Sequence, residues 1–415
     1  MANTLNLGTD GNWGTKDGSL LGYNNENDNF KPLPFDFTRA SSATRVNKQG
    51  LIETVASGVP RIDFTDANGA LLLEPQRTNL IAYSESFSNA YWTKSGASIT
   101  SNAAISPDGT LNADKLVEGT GTAVPIMTAT LPTSSTGLHA QSFYVKADGR
   151  NFVAISNNSN GGSVFRCEFD LTTGTITWNG FGNTPTIEAL ADSWYKITGV
   201  NVSTTAGFGR NFSLEMSNVS VLSNTAVAYT GDGTSGIYIY GAQLEQGSYA
   251  TSYIPTQGSA VTVVKDVCNN AGNDQVINST EGVLYYESKV HSLTGDKAIS
   301  VSTGSYNDSV SIGVYGGVFQ SRIRKDGNYV HFISPSGVNL LNNNKIAILY
   351  SASSIKIFVN GVLKSNVSGV TYSAILSKIS FTRADSVDFY YGEINDLRYY
   401  NTALTDQELI ALTTI

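Results

Sequence analysis

Apolar and polar residues alternate with period two along most of this chain. Phe165, Cys167, Phe169 and Leu171 fall on one side of a predicted strand, because successive strand side chains point to opposite faces. Thr172-Thr173-Gly174 turns that run into Thr175-Ile176-Thr177-Trp178. Further strands are predicted over residues 140–146, 193–197, 212–216 and 236–241. The same pattern recurs over 282–287, 345–350, 354–359 and 390–400. Asn360-Gly361 separates the third of these from Val362-Leu363. Both central residues of a two-residue hairpin turn need positive φ, and Asn-Gly supplies it at low cost. Asn68-Gly69 carries the same hairpin signal between the apolar runs 60–64 and 70–73. A short terminal helix is predicted after Thr405, an N-cap with Glu408 three residues on, which is a capping box. Strands at this spacing, with no amphipathic helix between them, predict an all-β protein built from sandwiches.

The punctuation divides the pattern into three regions. Residues 1–84 read as irregular, with short hairpins and few long strands. Their apolar side chains need a partner surface, which makes this region a candidate docking segment. Residues 85–258 read as one sandwich and residues 259–415 as a second. The seam is GAQLEQGSYATSYIPTQGSAVT, residues 241–262, where Pro255 and Gly258 make poor strand interior. Aromatic side chains around SYIP are expected to pack back onto the first sandwich.

Composition narrows the function classes. The chain has 415 residues, enough for about two or three domains. Charged residues are only 14 %, while Gly (40), Tyr (21) and Phe (17) are plentiful. Thr, Tyr and Val suit pleated surfaces, and Gly and Asn make turns. A net charge of -8 with no basic run argues against nucleic acid. The start of the chain lacks the basic and apolar segments of a secretory signal, and no run approaches the ~20 apolar residues of a membrane helix. Cys167 and Cys268 fall in different regions and read as two buried thiols.

No catalytic spacing stands out, and the expectation is a protein that is not an enzyme. His139, His291 and His331 are too scattered for a metal triad, and no GxSxG elbow occurs. Glycoside hydrolysis needs two carboxylates at a fixed separation. Glu215, Glu245, Glu281, Glu287, Asp388 and Glu393 are available, without a compact paired pattern on one strand. Sugar binding asks for less: an aromatic face for a pyranose ring, with polar groups for its hydroxyls. Trp178 and Phe181 in the first sandwich, and Tyr329, His331 and Tyr391 in the second, are the candidates, while Trp194 opens an alternating strand and reads as core. No cofactor is expected. Calcium is possible at the loop acids Asp108 and Asp232, although turn formation explains both equally well.

Longer strings carry a resemblance. FTRASSATRVNKQGLIE, PRIDF and LLLEPQRTNLIAYSESFSNAYWTKSGASITSN resemble a recurrent string in structural proteins of tailed-bacteriophage virions, as does GNWGTKDGSLLGY. The seam resembles the closing strand of a carbohydrate-binding-module-like sandwich in such proteins, and FDLTTGTITW with SWYKI is similar to jelly-roll carbohydrate-binding modules. IKIFVNGVL and the strand, turn and helix that end the chain resemble laminin-G and concanavalin A-like modules over about residues 280–412. The resemblance implies a tail or head fibre or decoration protein on the particle surface. It would bind other virion proteins through its N-terminal region and host-surface glycans through its sandwiches, without membrane insertion and possibly as a homo-oligomer. The alternatives are a polysaccharide depolymerase and a purely architectural component.

Overall fold

The structure, a computed structural model, describes residues 4–8, 13–16, 19–24, 29–130, 137–159, 162–180, 184–203, 211–369, 375–384 and 387–415. It is nearly all-β, as the alternation predicts. The chain forms two units: one from residues 1–42, 55–75 and 264–415, the other from residues 43–54 and 76–263.

This division differs from a separate N-terminal region over residues 1–84. Thr4–Leu7 and Ala70–Leu73 both pair with Gly392–Tyr400 near the end of the chain, and Asn29–Thr38 pairs with Val267–Asn269. The reason is burial. Leu5, Leu7, Phe35, Phe37, Ile62, Leu71 and Leu73 complete the same core as Ile299, Ile312 and Ile348. The partner surface these side chains need lies within the chain. The small hairpin Ala43–Val46/Ile52–Val55 joins the other unit, where Ile52 packs with Tyr144, Trp194 and Tyr240.

In the first unit a twelve-stranded sheet faces a five-stranded one, and the large core lies between them. The C-terminal helix Asp406–Thr413 lies on the outer side of the larger sheet and seats Leu409 among Val283, Leu349, Phe358 and Tyr400. Its capping box forms as predicted: the Thr405 hydroxyl accepts from Glu408 N, and Glu408 accepts from Thr405 N. Asn360 (φ 51°) and Gly361 (φ 77°) make the two-residue turn between Ser354–Val359 and Val362–Ser368. The Asn68-Gly69 signal is realised differently. Asp63 pairs with Ala70, so residues 64–69 form a longer loop. The Asp63 carboxylate accepts from Thr65 N and Oγ1, which starts the turn early.

The second unit is a sandwich of two six-stranded antiparallel sheets. Phe165, Cys167, Phe169 and Leu171 enter its core together, around a stacked Phe143–Phe212 pair with centroids 4.7 Å apart. Cys167 and Cys268 are buried thiols, one in each unit. The seam behaves as its sequence suggests within this unit. Gly241 (φ 61°) sits at a register shift between Gly236–Gln246 and Gly137–Asp148, and an added Cβ would meet the Tyr144 ring at 2.7 Å. Tyr253 packs back on Tyr144 and Tyr240, with its hydroxyl 2.8 Å from Glu85 Oε1.

Candidate functional site

The five-stranded sheet of the first unit runs in the order Asn328–Ile333, Val318–Lys325, Ser309–Tyr315, Lys297–Ser302, Lys378–Ser380. Val310, Ile312, Val314, Phe319 and Ile323 take the inner positions and enter the core. Period two then places Ser309, Ser311, Tyr315, Arg322 and Arg324 on the outer face. Ser309 pairs with Arg324 and Ser311 with Arg322, while Ser302 and Ser300 continue the two rows on the next strand. Ser300, Ser302, Ser309 and Ser311 are all buried, and Ser300 Oγ donates to the Thr382 carbonyl, so these rows lie beneath the long side chains of the same face.

Three guanidinium groups meet aromatic rings here. Arg322 lies 3.6 Å from the Tyr315 centroid and 5.7 Å from that of Phe332. Arg324 lies 4.3 Å from the ring of Tyr306 and 4.9 Å from Tyr329. Arg383, from the segment after the last strand, lies 4.4 Å from the other partner of Arg324, Tyr306. Arginine stacks on ring faces because its planar charge meets the negative quadrupole of the ring. The Tyr306 and Tyr329 hydroxyls are 2.9 Å apart. Tyr329 and Phe332 stay 53 % and 54 % exposed, an apolar shelf beside a row of hydrogen-bond donors.

Among the described residues, no carboxylate pairs with Arg322 or Arg324. Arg383 Nη1 pairs with Asp388 Oδ2 at 3.1 Å. Arg322 donates through Nε and Nη2 to the neutral Gln320 Oε1, and Arg324 donates through Nη2 to the Gly327 carbonyl. Burial alone would push the Tyr306 phenol up. Hydrogen bonds with Tyr329, Arg322 and Arg324 outweigh it and hold the group below its ordinary value.

Of the residues proposed from sequence, Tyr329 belongs to this face. His331 is half-buried and pairs with Ile323, an inner position, and burial lowers its pKa. Tyr391 forms a separate stack with Phe389, centroids 6.2 Å apart, above which Lys265 Nζ sits at 3.8 Å from the Phe389 ring. Trp178 lies in the other unit on the edge strand Thr175–Asn179 and donates from Nε1 to Asn224 Oδ1 at 2.9 Å. Phe181 lies outside the described residues. Trp194 is buried, as its strand position implies.

The two loop acids serve their own turns. Asp108 accepts from Ser106 Oγ, Thr110 N and Oγ1, Asn112 Nδ2 and Tyr240 Oη. Asp232 accepts from Thr234 N and Oγ1 and from Ser235 N and Oγ, bonds that hold its pKa well below the usual carboxylate range. No group of three or more metal-ligating side chains occurs among the described residues. Several of the carboxylates available for hydrolysis are engaged as well. Glu215 pairs with Arg166 and Glu393 with Lys289, while Glu245 accepts from Thr251 N. A cleft of about 350 Å³ on the larger sheet holds Glu287 and Asp396, which face each other across adjacent strands. Asp396 is ion-paired with Arg398 at 2.6 Å, and Glu287 accepts from Asn343 at 2.7 Å.

Sequence reasoning passed over Arg322, Arg324, Arg383, Tyr306 and Phe332. The run Ser321-Arg322-Ile323-Arg324-Lys325 held a usable signal. In a strand with Ile323 inside, both arginines share the outer face.

Comparison with known proteins places one stretch of the chain. Among solved structures, the chain is similar to the CBM40 module of a Ruminococcus gnavus IT-sialidase, at 18 % identity over 35 % of this chain and 93 % of that one, TM-score 0.29. It is similar to domain 4 of AbnA, a GH43 extracellular arabinanase from Geobacillus stearothermophilus, at 16 % identity over 40 % of this chain and 82 % of that one, TM-score 0.29. It is also similar to domains LG4-5 of the mouse laminin alpha1 chain, at 10 % identity over 68 % and 86 %, TM-score 0.25. No curated protein sequence matches it. Residues 288–410, which span every strand of the arginine-bearing face from Lys297 onward, match the family described as the concanavalin A-like lectin/glucanases superfamily.

Proposed function

We propose that this protein is a non-catalytic glycan-binding protein, and that the outer face of the five-stranded sheet is its binding surface. The observation that carries the reading is the exposed Tyr329–Phe332 shelf set beside Arg322 and Arg324. Apolar ring faces meet the C–H face of a pyranose, and donors beside them fix its hydroxyls. The lectin-type family match over residues 288–410 supports the same reading. Binding of the full chain to a broad glycan array tests it. Retention of at least one glycan class, lost in a Tyr329→Ala/Phe332→Ala variant that still unfolds at the parental temperature, is the expected result. No retention of any glycan would refute it.

The setting we propose is a bacteriophage particle surface, as a tail or head fibre or decoration protein. The support is the virion-like strings of the first 100 residues and of the seam. The apolar side chains of the N-terminal segments that are buried in the core are not free to dock onto other virion proteins. Docking therefore falls to their polar outer positions. Immunogold labelling of purified particles with an antibody to this chain checks the location. Sugar binding is expected to need no calcium, so chelation should leave array binding unchanged.

A further inference from the structure

We propose that the saccharide taken by this face is acidic, and that Arg322 and Arg324 hold its carboxylate. The inference rests on the glycan-binding reading and narrows it to one substrate class.

The first ground is charge. Arg324 stacks on Tyr306 and Tyr329, Arg322 stacks beside it on Tyr315 and Phe332, and no carboxylate pairs with either among the described residues. Like charges brought together disfavour one another unless an anion joins them. The chain as a whole carries -8, so this local excess of positive charge runs against its overall character. A neutral sugar would use the N–H donors for its hydroxyls but would leave the charge itself uncompensated.

The second ground is geometry. Arg322 and Arg324 stand two residues apart on one strand face, about 7 Å along the strand. Their flat faces are occupied by rings, which fixes the guanidinium planes. Gln320 takes the Nε–Nη2 edge of Arg322 and the Gly327 carbonyl takes Arg324 Nη2, so the Nη1 ends are what remains for a ligand. A planar N–H fork matches a carboxylate better than it matches a hydroxyl. Arg324 Nε is buried and has no hydrogen-bond partner among the described residues. The third ground is the shelf. Tyr329 and Phe332 offer a sugar ring a place beside that charge, which a free inorganic anion would not use.

The test measures binding of the full chain to polygalacturonate and hyaluronate, to the carboxyl-reduced neutral form of each, to dextran sulfate, and to a single-stranded oligodeoxynucleotide. At least one polyuronate should bind about tenfold or more tightly than its reduced form, and more tightly than the sulfate or the oligonucleotide. Raised salt should weaken that binding. Arg322→Gln/Arg324→Gln should abolish the preference for the acid. Arg322→Lys/Arg324→Lys, which keeps charge without the fork, should restore only part of it, and serves if the glutamine variant does not fold. Equal affinity for acid and reduced polymers overturns this inference and leaves the glycan-binding reading standing. Tighter binding of sulfate or oligonucleotide also overturns it, in favour of a general polyanion patch. Failure to bind any carbohydrate here or on the array overturns both.

Discussion

Each unit carries arginine on the outer face of a sheet, and the two clusters differ in how their charge is balanced. In the second unit Arg166 is buried. It pairs with Glu215 at 3.0 Å and Glu168 at 2.9 Å, and donates to the Ser223 carbonyl. Ser220 and Val221 lie over it, bonding to Glu168 as a lid of chain. In the first unit Arg322 and Arg324 lean on exposed rings, with neutral oxygens as their hydrogen-bond acceptors. Residue type therefore says little about role. A closed, neutralised cluster organises its own fold, whereas an open and unbalanced one has donors to offer a ligand.

The comparison breaks first at stability. Arg166→Ala leaves two buried carboxylates facing one another and should cost about 3–5 kcal/mol of unfolding free energy, read by chemical denaturation. Arg322→Ala should cost about 1–2 kcal/mol, because its contact with buried Tyr315 is a partly desolvated cation–π pair without a buried charge left behind. Equal losses would place both clusters in the same structural class.

A second buried network lies within the first unit. Asp266 pairs with Arg39 at 3.1 Å and with Arg61 at 2.5 Å, and Arg61 also pairs with Glu74 at 2.7 Å. All four side chains stand within a few residues of points where the chain passes between the units. Asp266→Ala leaves buried Arg39 without a carboxylate and Arg61 with Glu74 alone, and should cost about 3–5 kcal/mol, again in contrast to the open cluster. The same denaturation measurement, following the first unit, decides it.

The next effect is on binding alone. Removing the shelf with Tyr329→Ala/Phe332→Ala should weaken glycan binding by about 1–2 kcal/mol, roughly tenfold, with the unfolding midpoint unchanged. Titration calorimetry on the tightest glycan of the array measures it.

The smallest effect is in pH. Tyr306 sits below the ordinary tyrosine value of 10.0, so it ionises before an unperturbed phenol as pH rises. Its phenolate would neutralise part of the guanidinium charge, so binding of an acidic glycan should weaken as pH rises toward the ordinary tyrosine value. The sign for stability is opposite. An acid whose pKa is depressed by folding adds stability that is present above its unfolded value and lost as pH falls through the folded one. Binding should therefore fall over that window while stability does not, and Tyr306→Phe should remove the fall. Phenolate absorbance and binding measured on the same samples check both halves.

Much of the local structure was legible. The alternation from Phe165 to Leu171 named a core face, Asn360-Gly361 named a turn, and Thr405 with Glu408 named a helix start. Each of these signals depends on side chains a few residues apart, where backbone geometry alone relates them. The candidate site was legible only in part. Tyr329 was picked for its ring, but its partners Tyr306 and Arg324 are brought to it by strand order, which alternation does not encode. His331, two positions on, was picked with it, and a register shift between Ile323 and Arg324 puts it opposite an inner residue.

The sequence by itself determined an all-β chain, its turns, its apolar faces and an absence of catalytic spacing, because period and turn chemistry are local. Tertiary structure alone decided that strands from the first 75 residues complete the sheet that ends the chain. It also decided which arginines are neutralised and which stand open. A strand pattern tells which side is apolar, but hydrogen bonds across a sheet accept any neighbour, so the choice of neighbour is made by the whole core.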